Sequence, residues 1–252
     1  MALFQTSFKS KALMMQTSVN ILLPVGMNAL DPTTAQNVTY ERKTFPVLYL
    51  LHGATDDHSC WLRLSSIERY AEEKGIAVVM PNADFSAYVD MAHGNAYGTY
   101  IGEELPSFIE SVFPVSTEPK DRFIAGLSMG GYGAFRFALN HPDRFAAAGS
   151  FSGALDMASR LQMENPFTVA FGENTDITGT NNDLLHLLRE NKAASLPRLY
   201  QSCGTEDFLY EDNLTFKKVA EDSGVALTYS DGPGGHEWNF WDKEIKRFLD
   251  WI

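Results

Sequence analysis

Apolar residues in this chain come in short runs separated by segments of helical spacing, and that alternation is the first constraint on its fold. The run at residues 45–51, Phe-Pro-Val-Leu-Tyr-Leu-Leu, lacks the every-second-residue rhythm of a strand with one wet face. It is therefore expected to be a strand buried on both faces of a parallel sheet. Residues 76–80, 122–126, 146–152, 198–203 and 226–230 are read as strands too. Between the first two, residues 65–74 set Ile67, Tyr70 and Ala71 on one side and Glu68, Arg69, Glu72 and Glu73 mostly on the other, which predicts an amphipathic helix. Further helices are expected over 103–112, 132–140, 215–222 and 241–251. Residues 12–23 predict an earlier strand closed by Pro24, and the polar stretch 27–44, with Asp31-Pro32, a connecting loop. Strand and helix alternate along the chain, so the expected architecture is α/β, a mainly parallel sheet with helices on both faces.

Two stretches break the rhythm. Residues 82–100 are rich in Gly, Tyr, Asn and Asp and read as a long loop of the kind that carries function. Residues 154–195 scatter Asn165-Pro166, Gly172, Gly179 and Asn181-Asn182 and are expected to be a small cap insertion beside the carboxyl ends of the strands. There is no repeat and no long charge block, and 252 residues suit a single domain over 1–252.

Composition narrows the function by exclusion. A net charge of -12 argues against nucleic acid, which is held by Lys and Arg replacing counterions on phosphates. No segment approaches the roughly 18 consecutive apolar residues of a membrane span. Near the start, Lys9 and Lys11 precede apolar residues, but Gln16, Thr17, Ser18 and Asn20 interrupt them and no cleavage site follows. The expected location is cytoplasmic. Cys60 and Cys203 cannot form a disulfide framework and are expected to be free thiols. Whether the chain forms a homo-oligomer is left open.

Residues 126–130, Gly-Leu-Ser-Met-Gly, fit G-x-S-x-G, with an expected strand before and an expected helix after. A serine on so sharp a turn needs neighbours without side chains two positions away on either side. Ser128 is therefore the candidate nucleophile and the fold is expected to be that of the α/β-hydrolases. A phosphate loop is excluded because no Lys follows the glycines. A serine hydroxyl needs a base, and in this fold the partners follow in the order serine, acid, histidine. That order removes His52, His58 and His93. His141 reads as a helix-end residue and His186 as part of a helical stretch, which leaves His236, in a glycine-rich loop after the last strand. The orienting acid should lie on the loop after the preceding strand, where Asp207 is favoured over Glu206 because the shorter side chain more often partners imidazole.

The developing oxyanion needs two backbone N–H groups. Met129 should supply one and Ala54 the other, with Gly53 as the alternative. Expected substrate contacts are His52, Gly53, Trp61 and Trp238, with Phe85 and Tyr88 as further candidates for an aromatic pocket. Asp56, Asp57 and His58 beside His52 suggest a turn and cap rather than a metal site, so no metal is expected.

Taken together, residues 50–58 (Leu-Leu-His-Gly-Ala-Thr-Asp-Asp-His) with Trp61, 126–133 (Gly-Leu-Ser-Met-Gly-Gly-Tyr-Gly), 141–145, 150–153 (Ser-Phe-Ser-Gly) and 236–241 (His-Glu-Trp-Asn-Phe-Trp) resemble the tributyrin-esterase branch of the esterase D family over nearly the whole chain. The likeness is weakest over 154–195. The resemblance implies cofactor-free hydrolysis of short-chain carboxylic esters, small molecules of acetyl to butyryl type, with Ser128, Asp207 and His236 on the positions that family uses. That family also includes S-formylglutathione hydrolases, feruloyl and acetylxylan esterases and mycolyltransferases. A thioesterase of the S-formylglutathione hydrolase type is thus the alternative, and a catalytically inactive binding protein on the same scaffold a third reading.

Overall fold

The computed structural model describes residues 1–24, 44–163, 166–191 and 195–252. Most of the loop expected at 27–44, and Asn165, lie outside the described residues. Among the described residues, eight strands form one sheet: β1 (Ala2–Ser10), β2 (Met15–Leu23), β3 (Val47–Leu51), β4 (Ala77–Pro81), β5 (Arg122–Leu127), β6 (Ala147–Phe151), β7 (Arg198–Gly204) and β8 (Leu227–Gly232). Their order is β1-β2-β4-β3-β5-β6-β7-β8. β1 and β2 pair antiparallel, as do β2 and β4, and all remaining pairs are parallel.

The helices are α1 (Cys60–Leu64), α2 (Ile67–Lys74), α3 (Tyr97–Thr99), α4 (Leu105–Val112), α5 (Met129–Asn140), α6 (Met157–Leu161), α7 (Thr168–Phe171), α8 (Leu184–Glu190), α9 (Tyr210–Asp222) and α10 (Trp238–Trp251). A π-helical turn over Tyr100–Glu104 joins α3 to α4. Along each central strand, alternate residues enter different cores. Val47, Tyr49 and Leu51 of β3 pack in the layer that holds Ile109 of α4, Phe135 of α5, Leu188 of α8 and Phe216 of α9. Leu48 and Leu50 pack in the opposite layer with Ile67 and Tyr70 of α2 and Ile245 and Phe248 of α10. Burial on both faces explains why the strand sequences are continuous apolar runs.

The structure departs from the sequence expectation in several places: α3 lies in the stretch expected as a loop, α6 and α7 in the expected insertion, and α9 begins at Tyr210 instead of Thr215. Residues 2–10 form β1, an unforeseen edge strand, and residues 60–64 form the short α1. β1 leaves Leu3 and Phe4 exposed, so it shows no clean buried stripe; its pairing comes from β2 through the turn at 11–14. No helix among the described residues is long and apolar enough to cross a membrane.

Parallel pairing has one consequence for chemistry. The carboxyl ends of β3, β4, β5, β6, β7 and β8 open on the same edge, where a parallel sheet collects its functional loops.

Candidate active site

Ser128 follows β5 directly and precedes the first residue of α5. Its backbone sits at φ 53 and ψ -119, a conformation that costs a non-glycine residue about 1–3 kcal/mol and persists only where surroundings impose it. Here they do. The Ser128 N–H donates to the Phe151 carbonyl at 2.9 Å, and its carbonyl accepts from Tyr132 N–H at 3.1 Å and Ala154 N–H at 3.3 Å. The flanking glycines permit the turn: a Cβ on Gly126 would lie 2.5 Å from the Gly130 backbone, and one on Gly130 would lie 2.5 Å from the Leu51 carbonyl oxygen.

The histidine and the acid arrive from neighbouring strands. The loops after β7 and β8 are stitched together by Thr205 N–H to Gly232 O at 2.9 Å and Glu206 N–H to Gly234 O at 3.1 Å. A Cβ on Gly204 would fall 2.0 Å from Gly234 O, so the closeness of the two loops requires glycine there. This seam brings His236 Nδ1 to 2.9 Å from Asp207 Oδ2, and His236 Nε2 to 3.0 Å from Ser128 Oγ. Burial pushes the Asp207 carboxyl up, but hydrogen bonds from His236 and from Leu209 N–H outweigh it and hold the group below the ordinary carboxylate value. The ionised carboxylate only accepts, so Nδ1 carries the imidazole proton and Nε2 is free to accept one from Ser128. The other acid of this loop plays a different part. The Glu206 carboxylate accepts Gly234 N–H at 2.5 Å and thereby staples the two loops.

Met129, as the first residue of α5, has an N–H with no acceptor inside the helix. Ala54 lines the same cleft as Ser128, and Gly53 approaches so closely that its Cβ would be 3.7 Å from that of Ser128. The two N–H groups expected to bind an oxyanion therefore belong to the first residue of α5 and to the loop after β3, both beside the serine.

The cleft above Ser128 has a volume of about 700 Å³. Of the expected substrate contacts, Gly53 and Trp238 line it; His52 and Trp61 do not. The His52 ring is 1% exposed, accepts Ala83 N–H on Nε2 at 2.9 Å and donates from Nδ1 to Gly53 O at 2.7 Å. Burial lowers its pKa below the usual imidazole value, and the neutral ring ties the loop after β3 to the loop after β4. Trp61 is equally buried, its Nε1–H donating to Leu51 O at 3.0 Å. It backs Trp238 edge to face at 5.1 Å instead of meeting substrate. Phe85 lines the cleft, whereas Tyr88 is buried with its hydroxyl on the His52 carbonyl.

Several lining residues were not foreseen: Asp56, Arg160, Phe167, Phe208 and Glu237. Phe167, from the stretch 154–195, stacks on Phe85 with centroids 4.7 Å apart. Phe208 is the one residue with a legible signal, an apolar side chain immediately after Asp207 in a polar loop. The two cysteines are free and buried. Among the described residues no group of three His, Cys, Asp or Glu side chains could hold a metal ion.

The Esterase family profile matches residues 10–252. An acetyl esterase of Caldicellulosiruptor saccharolyticus is 31% identical over 100% of this chain and 98% of its own length. Among solved structures, the substrate-bound fluorophosphonate-binding serine hydrolase F of Staphylococcus aureus superposes with a TM-score of 0.88 at 36% identity, covering 99% of this chain and 97% of that one. An S-formylglutathione hydrolase of the same organism gives 0.85 at 36% identity, covering 99% and 98%. A serine, a histidine and a carboxylate in hydrogen-bonded series at the mouth of this sheet, together with these likenesses, lead to one conclusion: the chain belongs to the Esterase family and is a carboxylic ester hydrolase with the α/β-hydrolase fold.

Proposed function

We propose that this enzyme is a serine carboxylesterase that cleaves short-chain acyl esters, acetyl to butyryl, through an acyl-enzyme, in the manner of the tributyrin-esterase branch. The observation that carries the reading is the series of 3.0 Å and 2.9 Å contacts joining Ser128, His236 and Asp207. In the first half-reaction Ser128 Oγ attacks the ester carbonyl carbon while His236 Nε2 takes its proton. The carbonyl oxygen becomes an oxyanion held by Met129 and Ala54 N–H. The tetrahedral intermediate then expels the alcohol, whose oxygen receives the proton from His236. A water repeats the sequence to release the acid. The chain is read as one domain acting in the cytoplasm on a small-molecule ester, with residues 154–195 as its cap and no cofactor required by these steps.

The stacked Phe85 and Phe167 support the preference for short chains. Each methylene that a pocket buries adds about 0.8 kcal/mol, so a wall of rings that ends the pocket ends that gain. On p-nitrophenyl esters from acetate to palmitate, kcat/KM should peak at two to four carbons and show no activation at a lipid interface. A maximum at eight carbons or beyond would refute the short-chain reading.

The likeness to the S. aureus S-formylglutathione hydrolase favours a second reading, a thioesterase with the same acting residues. Matched oxygen and sulfur esters of one acyl group separate the two by their relative kcat/KM.

A further inference from the structure

Which side of the cleft receives the leaving group follows from where the proton goes, and rests on the acyl-enzyme reading above. His236 Nε2 protonates the departing oxygen, so whatever that oxygen carries lies against the surroundings of His236. Those are aromatic and acidic. The ring of Phe208, 69% exposed, stands 4.6 Å from the imidazole, and Trp241 meets it edge-on at 4.9 Å. Glu237 and Trp238 follow His236 in the chain and line the cleft, with Asp56 contributed by the loop after β3.

The single cation among the described lining residues is Arg160, and its charge is already committed. Its Nε and a terminal nitrogen both donate to the Asp212 carboxylate, the second at 3.1 Å, while its guanidinium carbon lies 5.9 Å from the Phe208 centroid. Among the described residues neither Asp56 nor Glu237 has an ion-pair partner. Two carboxylates without an ion-pair partner therefore line the same cleft as these rings, and carboxylates together with aromatic faces attract a quaternary or protonated nitrogen and repel an anion.

We infer that Asp56, Glu237, Phe208 and Trp238 form a leaving-group subsite selecting esters whose alcohol carries a cationic nitrogen over isosteric neutral alcohols, and disfavouring those whose alcohol is an anion. The class of substrate is thereby narrowed to short acyl esters of neutral or cationic alcohols. Thioesters of acidic thiol peptides fall on the disfavoured side.

The test compares three acetyl esters of similar shape: acetylcholine, its uncharged isostere 3,3-dimethylbutyl acetate, and the anionic 4-acetoxybutyrate. p-Nitrophenyl acetate serves as the control for the esterase reading itself. At low salt, kcat/KM for the cation should exceed that for the neutral ester by about three- to tenfold and the anion should fall below it by a similar factor, the size expected of partly exposed charges. Raising the salt to about 1 M should shrink both ratios, since the screening length falls to about 3 Å. In Asp56→Asn/Glu237→Gln both ratios should approach one. Equal rates on all three esters in the wild type, a ratio indifferent to salt, or a ratio unchanged in the double variant would each overturn the subsite while leaving the esterase reading intact. Failure to hydrolyse p-nitrophenyl acetate would instead sink the esterase reading.

Discussion

At the floor of the cleft the backbone is crowded: Gly126 and Gly130 approach so closely that neither could bear a Cβ, and Ser128 is held at φ 53 by three backbone hydrogen bonds. At the rim, Phe208 is 69% exposed and Glu237 stands in solvent. The floor has no room to adjust, which suits electrostatic stabilisation by donors that must not reorganise during reaction. The rim can change side chains without disturbing the fold. Chemistry is thus assigned to the rigid part and selectivity to the part that tolerates change, and substitutions on the two sides should fail differently.

The largest effect is expected from Ser128→Ala, which deletes the nucleophile but keeps the oxyanion donors. Esterase activity should drop by a factor on the order of 10³ to 10⁶ with the thermal transition essentially in place. Near-normal turnover would move the chemistry elsewhere and dissolve the distinction between floor and rim.

Asp207→Asn comes next, with a loss of about 10² to 10⁴ in kcat, because an amide no longer dictates which imidazole nitrogen holds the proton. Asp207 is held below the ordinary carboxylate value, so it stays an anionic acceptor for His236 Nδ1–H across neutral and mildly acidic pH. A loss in kcat of less than about tenfold, measured on p-nitrophenyl acetate, would contradict the assignment.

At the rim, Phe167→Ala should leave acetyl ester turnover within about threefold while raising the relative kcat/KM on hexanoyl esters by about three- to tenfold, roughly one to two methylenes' worth of burial. A chain-length profile identical to wild type would show that the Phe85 and Phe167 stack does not end the acyl pocket. The smallest change is expected of Glu206→Gln. The amide oxygen can still accept Gly234 N–H, and activity should stay within about twofold of wild type, as is usual for an exposed charge. A collapse like that of Asp207→Asn would mean that Glu206, not Asp207, orients the histidine.

Much of the floor could be read in the one-dimensional pattern. The buried strands, the glycine-flanked serine and the order serine, acid, histidine are consequences of a parallel sheet whose loops emerge at one edge, and short-range residue spacing is enough to express them. β1 was invisible because an edge strand with Leu3 and Phe4 exposed has no buried stripe. The helix expected from Thr215 in fact begins at Tyr210, since polar residues such as Asn213 enter its buried side through bonds to Gly153 and Gln201.

The rim, by contrast, was decided in three dimensions. His52 and Trp61 sit in the motif that announces the site, yet both turn inward, because the loop after β4 and the carbonyl of Leu51 offer partners that no local spacing encodes. Nothing in the order of residues says that Asp212 neutralises Arg160, or that Phe167 reaches Phe85; each pair is far apart in the chain and meets only once the strands are laid side by side. The sequence by itself determined which residue types stand at the strand ends and hence the candidate chemistry, because strand burial and tight turns are local requirements. The tertiary structure alone decided which aromatics and charges line the cleft, because those are contacts between distant segments and carry no periodic signature.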